Sequence, residues 1–200
     1  MVASTNLKNC FIKKYKLFNY ANLIIHARIT VKSVVYNNCY NMVDVFLLLG
    51  SNMGERHDLL KEAANHIAQT IAPVLKTSSV YETQAWGKTD EPDYLNQVLL
   101  VQTDMPARQV LNHVLNIEQQ MGRKREVKWG ARSIDIDILF YGDAIINEQG
   151  LTVPHPQLHN RRFTLEPLVE IAPHLNHPVL NQTIVRLKNN LNDCLVVKKL

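Results

Sequence analysis

The chain has 200 residues, 46% of them apolar, which is enough to bury a core in one domain and excludes a disordered or fibrous chain. Its formal net charge of +4 is unevenly spread, because residues 1–41 carry six basic residues and no acidic one, leaving residues 42–200 at −2. That slightly acidic body argues against a nucleic-acid surface. No stretch reaches the roughly 18 apolar residues of a membrane-spanning helix. The cysteines, Cys10, Cys39 and Cys194, have neither metal-site spacing nor the density of a disulfide scaffold, so a reducing, cytoplasmic setting is the simplest reading.

Met42 is followed at once by an apolar strand pattern, so residues 42–200 are expected to be the single folded domain. Residues 1–41, with Lys8, Lys13, Lys14, Lys16, Arg28 and Lys32, read as a basic N-terminal extension. Upstream sequence ahead of a start at Met42, a true extension, or an organelle-targeting peptide all fit that composition.

From Met42 on, the elements follow in order. Val45–Leu49 reads as a strand ended by Gly50-Ser51-Asn52. Leu59, Leu60, Ala63, Ala64 and Ile67 recur at helical spacing until Pro73 forbids extension. Leu75–Tyr81 reads as a second strand, Glu82–Asp93 as a loop, and Tyr94–Val101 as a third strand. Asp104 and Pro106 stand in capping positions before a helix with the stripe Val110, Leu111, Val114, Leu115, Ile117 and Met121, closed by Gly122. Ser133–Tyr141 is the fourth strand. This order predicts an α+β, ferredoxin-like βαββαβ sandwich, with two helices on one face of an antiparallel sheet. Beyond it come a hairpin over Ala144–Val153, a Pro/His-rich turn and a short helix near Leu165–Glu170.

The fourth strand carries the chemistry. Ile134, Ile136 and Ile138 point one way, while Ser133, Asp135 and Asp137 point the other. Two carboxylates about 6–7 Å apart along one strand face can share divalent ions. An isolated Asp-x-Asp is more often the solvated side of an amphipathic strand. Here Arg123, Lys124, Arg125, Lys128, Trp129 and Arg132 precede it, and positive charge beside paired carboxylates suits a phosphate–magnesium substrate. No P-loop is present. His155 and His159 lack a third ligand for zinc; a phosphate contact from His155 fits better, and Arg161 and Arg162 extend the cationic character. Trp86, Tyr94 and Phe163 can flank a flat heterocycle and Asn96 can read its polar edge, although core packing explains Tyr94 and Phe163 equally well. A nucleotidyltransferase or nuclease uses the same carboxylates but needs a groove for a polymer. An RNA-binding module wants stacking rings where this strand has acids.

Leu49-Gly50-Ser51-Asn52, Pro92-Asp93-Tyr94-Leu95-Asn96, Trp129 through Asp137, Leu151 through His155, and Asn160-Arg161-Arg162-Phe163 occur in one order and spacing. Over Val45 to about His177 the chain closely resembles the 6-hydroxymethyl-7,8-dihydropterin pyrophosphokinase family. The resemblance implies transfer of the pyrophosphoryl group of ATP to the pterin hydroxymethyl oxygen, in folate synthesis. It implies Asp135 and Asp137 as ligands of two magnesium ions, and Arg123 and Arg132 in or near the nucleotide site; their guanidinium forks suit the oxygens of the transferring group, which they are expected to stabilise. Glu118, Arg125, Trp129, Thr152, His155 and Arg161 fall at the nucleotide, and Thr83, Gln84, Ala85, Trp86, Tyr94, Asn96 and Phe163 at the pterin. Gln84-Ala85 replaces a frequent Pro-Pro pair, and Gly150, Pro156 and Arg162 also depart from common family residues. The partners implied are small molecules, with neither nucleic acid nor membrane, and the enzyme is expected to be a monomer.

Overall fold

A computed structural model describes residues 42–84, 92–122, 133–193 and 195–200. β1 (Val43–Ser51) enters the sheet centre and leads to α1 (Arg56–Thr70). β2 (Val74–Thr77) and β3 (Tyr81–Thr83) follow, then β4 (Tyr94–Thr103), α2 (Ala107–Gln120) and β5 (Asp135–Tyr141). The antiparallel sheet runs β3–β4–β1–β5, with β2 also paired to β4. This is the expected ferredoxin-like arrangement, in which each half of the chain supplies strands to both sides of the other.

Three boundaries differ from the sequence reading. The single strand expected over Leu75–Tyr81 is two strands, because Ser78 interrupts the ladder: its hydroxyl accepts the Val98 N–H at 2.9 Å, while its own N–H reaches Val98 O. Glu82 and Thr83 therefore belong to β3 rather than to a loop. Asp104 does not cap α2; Pro106 is the N-cap, and its carbonyl accepts from Gln109 and Val110. Gly122 has φ +81° just past that helix, the left-handed turn glycine allows.

The alternation of each strand divides the core in two. Val45, Leu47, Leu49, Leu95, Leu99, Val101, Ile136 and Ile138 pack beneath Leu60, Ala63 and Ile67 of α1 and Val110, Val114 and Ile117 of α2. Phe46, Leu48, Val98, Leu100, Leu139 and Phe140 face the other way. A register shift in β1–β5 pairing beside Leu47 lets both Leu139 and Phe140 turn to that second face.

The C-terminal part covers much of this second face. A hairpin, β6 (Ile146–Glu148) and β7 (Leu151–Val153), precedes a 3₁₀ turn at Leu158–Asn160 and α3 (Arg162–Ile171). The helix near Leu165–Glu170 is thus longer than its sequence suggested, and holds Pro167 inside. β8 (Asn176–His177), β9 (Gln182–Thr183), α4 (Ile184–Asn189) and β10 (Val197–Lys199) complete it. Leu165, Leu168, Ile184 and Leu187 close the second core, and β10 adds itself to the sheet beside β3. Among the described residues, no helix is long and apolar enough to cross a membrane.

Candidate functional site

Antiparallel register decides which side chains share a surface, since directly opposed residues point to the same face. Tyr81 lies opposite Asn96, Asn96 opposite Gly50, and Gly50 opposite Asp135. Thr83 lies opposite Tyr94, and Leu48 opposite Asp137. Thr83, Tyr94, Asn96, Gly50, Asp135 and Asp137 therefore occupy one face of the sheet, at the Gly50–Ser51 end of β1. Asn96 and Asp135 are two strand spacings apart, roughly 10 Å. The strip between them is bare because the intervening residue is glycine. A Cβ there would stand 3.4 Å from Asn96 Oδ1.

Asn96 and Thr83 are both 3% exposed, and Asn96 Nδ2 donates to Thr83 Oγ1 at 3.3 Å. That bond orients the amide and leaves a second N–H and the carbonyl for a ligand edge. Tyr94 and Phe163 are half-buried. The Arg161 guanidinium carbon lies 5.6 Å from the Phe163 ring centroid, a cation–π contact that joins the cationic and aromatic parts of the site.

β5 is tied down from three sides. Ser51 Oγ donates to Ser133 O at 2.6 Å, and Ser133 Oγ donates to Met121 O at 3.3 Å. Glu118, 2% exposed, accepts the Ile136 N–H through Oε1 at 2.8 Å. The amide between the two aspartates is thus held by a carboxylate from α2. This places Glu118 behind the aspartates, in the layer of α1 and α2.

His155 docks on the same strand through its N–H to Leu139 O at 3.0 Å, and its Nε2 lies 3.9 Å from Asp137 Oδ2. Its Nδ1 accepts the Gln157 N–H at 3.2 Å, so the ring proton of the neutral form sits on Nε2. Burial, aided by the charge of Arg161 and opposed by that of Asp135, pulls its pKa down to about 4. At neutral pH His155 is an uncharged N–H donor beside the carboxylates, and the contact with Asp137 is not an ion pair. Thr152 is exposed on β7, three residues earlier. His159 instead packs edge-on against His177, with ring centroids 6.1 Å apart.

Asp135 and Asp137 are half-buried on one strand face. Among the described residues no group of three or more His, Cys, Asp and Glu converges as a metal cage. This donor set fits magnesium, which takes one or two protein carboxylates and fills its remaining positions with phosphate oxygens and water. Arg123, Arg125, Trp129, Arg132, Ala85 and Trp86, expected at the site from sequence, lie outside the described residues. A cleft of about 750 Å³ lies at the opposite strand ends among Asp44, Gln102, Tyr141 and His174. It contains none of the converging groups above, so chemistry rather than volume locates the site. Sequence reading missed Gly50 as the bare strip; only the register brings it between Asn96 and Asp135.

The family model described as 7,8-dihydro-6-hydroxymethylpterin-pyrophosphokinase matches residues 46–173. The chain belongs to this family. A 2-amino-4-hydroxy-6-hydroxymethyldihydropteridine pyrophosphokinase of Aquifex aeolicus is 39% identical over 147 residues, covering 74% of this chain and 91% of that protein. The enzyme of the same name from Haemophilus influenzae is 37% identical, with 78% and 98% covered. Pyrophosphokinase-family sequence is also found within larger proteins. The folic acid synthesis protein fol1 of Pneumocystis carinii is 37% identical, but the match covers only 22% of its length. The fold likewise matches a crystal structure of wild-type Plasmodium falciparum HPPK-DHPS with pteroate, at TM-score 0.59 and 19% identity. That match covers 74% of this chain and 42% of the Plasmodium chain.

Proposed function

We propose that this pterin pyrophosphokinase-family chain transfers the pyrophosphoryl group of ATP to 6-hydroxymethyl-7,8-dihydropterin, giving the pterin diphosphate and AMP, with the sheet face around Gly50 as its active surface. The observation that carries the reading is the cross-strand row Asn96–Gly50–Asp135. A polar reader for a heterocycle stands at one end, a carboxylate for phosphate-bound metal at the other, and the strand residue between them is a glycine.

In this reading Asn96, oriented by Thr83, pairs with the polar edge of the pterin. Tyr94 and Phe163 flank its ring, and the Gln84 backbone closes the same end. The hydroxymethyl arm runs over Gly50 toward Asp135. Asp135 and Asp137 would hold two magnesium ions, which would supply charge neutralisation for the triphosphate. His155 donates Nε2–H to a phosphate oxygen, and Arg161 adds charge. Thr152 borders the nucleotide. Glu118 acts from behind by fixing the Ile136 amide. Arg123 and Arg132 are assigned from sequence to the transferring group, because guanidinium forks match phosphoryl oxygens. Arg125, Trp129, Ala85 and Trp86 keep their sequence-based assignments. The bond from the pterin oxygen to the β-phosphorus forms as the bond from that phosphorus to the AMP oxygen breaks, and the hydroxyl proton passes to solvent. Residues 42–200 are the catalytic domain in this proposal, residues 1–41 are an extension to it, and the enzyme is a cytoplasmic monomer without nucleic-acid or membrane partners.

The test is a product assay with ATP, magnesium and the reduced hydroxymethylpterin. AMP and pterin diphosphate should appear together, whereas ADP would refute the transfer. Asp135→Ala and Asp137→Ala should each lower kcat about a hundred-fold or more, since the lost charge stabilisation is worth several kcal/mol. Full activity in either variant would remove the metal assignment.

A further inference from the structure

We infer that Arg56 is a positioning residue for the heterocyclic substrate, fastening from behind the two strands that carry Thr83, Tyr94 and Asn96. The inference rests on the reading that these side chains take the pterin. Arg56 is the first residue of α1. Its Nη1 donates to Asp93 O at 2.6 Å and to Glu82 Oε1 at 3.3 Å. Asp93 immediately precedes Tyr94, and Glu82 immediately precedes Thr83. One guanidinium nitrogen therefore grips both strands at the residue before each substrate-facing side chain.

The direction of the grip matters. Glu82 lies opposite Leu95, which belongs to the core under α1 and α2. Its side chain thus leaves the sheet on the helix-covered face, and Arg56 reaches it from there without entering the Asn96 surface. The bond it protects is long. Asn96 Nδ2 and Thr83 Oγ1 are 3.3 Å apart on neighbouring strands, so a separation of a few tenths of an ångström takes the pair outside hydrogen-bonding range. β3 has only three residues, and at Thr83 it is held by β4 on one side and by the equally short β10 on the other. A planar guanidinium holds two acceptors in fixed relation, which a flexible ammonium does less well.

An ordinary exposed ion pair would contribute to stability only weakly and would leave substrate affinities alone. The distinguishing measurement is the KM of each substrate with kcat and melting temperature, for full-length wild type, Arg56→Ala, Arg56→Lys and Glu82→Gln. Arg56→Ala should raise the pterin KM about ten-fold, equivalent to about 1.4 kcal/mol, with the ATP KM changed less than about two-fold. Arg56→Lys should recover part of that loss. Glu82→Gln, which keeps the bond to the Asp93 carbonyl, should raise the pterin KM about two-fold. Unchanged pterin KM in Arg56→Ala, or equal rises in both KM values alongside a lower melting temperature, would overturn the inference. Should Arg56→Ala fail to fold, the same split in Arg56→Lys and Glu82→Gln decides it. A wild type that forms no pterin diphosphate overturns the substrate reading and this one together; an active wild type with an unchanged Arg56→Ala overturns this one alone.

Discussion

Truncating Glu118 should loosen the strand that carries both aspartates. β5 is at the edge of the sheet, and the Ile136 N–H points away from β1 to Glu118 Oε1 at 2.8 Å. Ile136 is 4% exposed and Glu118 2%, so no solvent stands ready to replace the acceptor. Glu118→Ala leaves a buried amide unpaired, at a cost of about 1–3 kcal/mol before any packing loss. In a chain of this size each kcal/mol lowers Tm by about 2–4 °C, so a fall of roughly 2–12 °C is expected. Glu118→Gln keeps an oxygen acceptor and should lose about 1 kcal/mol. Thermal melting gives the stability, and amide hydrogen exchange reads the cause: Ile136 should be protected in wild type and in Glu118→Gln, but exchange faster than its β5 neighbours in Glu118→Ala. Turnover should fall in parallel, since Asp135 and Asp137 flank the freed amide. An Ile136 amide equally protected in Glu118→Ala, with Tm unmoved, would refute the reasoning.

Gly50→Ala should be nearly neutral, since the new Cβ lies at ordinary contact distance from Asn96 Oδ1 and φ is not positive. Gly50→Val fills the bare strip and should raise the pterin KM about ten-fold or more, with the fold intact by circular dichroism; normal pterin affinity would mean that the substrate does not cross there. Burial alone would raise the Glu170 carboxyl, but hydrogen bonds from Lys199, Tyr81 and Ser79 outweigh it and hold the carboxyl below its ordinary 4.5. A lowered carboxyl contributes stability that is full above the ordinary value and lost as pH falls through the folded one. The Tm advantage of wild type over Glu170→Gln should therefore be constant near neutrality and fade below about pH 4.5; an advantage that grows on acidification would contradict this. Arg162 Nε donates to Asp193 O at 3.1 Å and Nη1 to Glu166 at 3.3 Å. Arg162→Ala should speed amide exchange in β10, which follows Asp193, and lower Tm by about 2–4 °C.

Local sequence determined a good deal of this protein. The period-two alternation of Ile134, Ile136 and Ile138 against Asp135 and Asp137 is a property of any extended chain, and it separated core from carboxylates before any partner strand was known. The helical stripe of α2 and the glycine that ends it were legible for the same reason, as were the βαββαβ order and its sheet. Signals spread over distance were not legible. The break at Ser78 arises from its bonds to Val98 on another strand. The longer α3, and β10 beside β3, depend on Arg162, Glu170 and the second core rather than on their own short patterns.

The site divides along the same line. Sequence by itself put Asp135, Asp137, His155 and Asn96 among the chemical candidates, because residue type and spacing along one segment are local facts. Tertiary structure alone set Asn96, Gly50 and Asp135 in one row, made His155 an uncharged donor by burying it, and withdrew Glu118 behind the strand. Register, burial and hydrogen-bond partners are relations between segments far apart in the chain, and no single segment carries them.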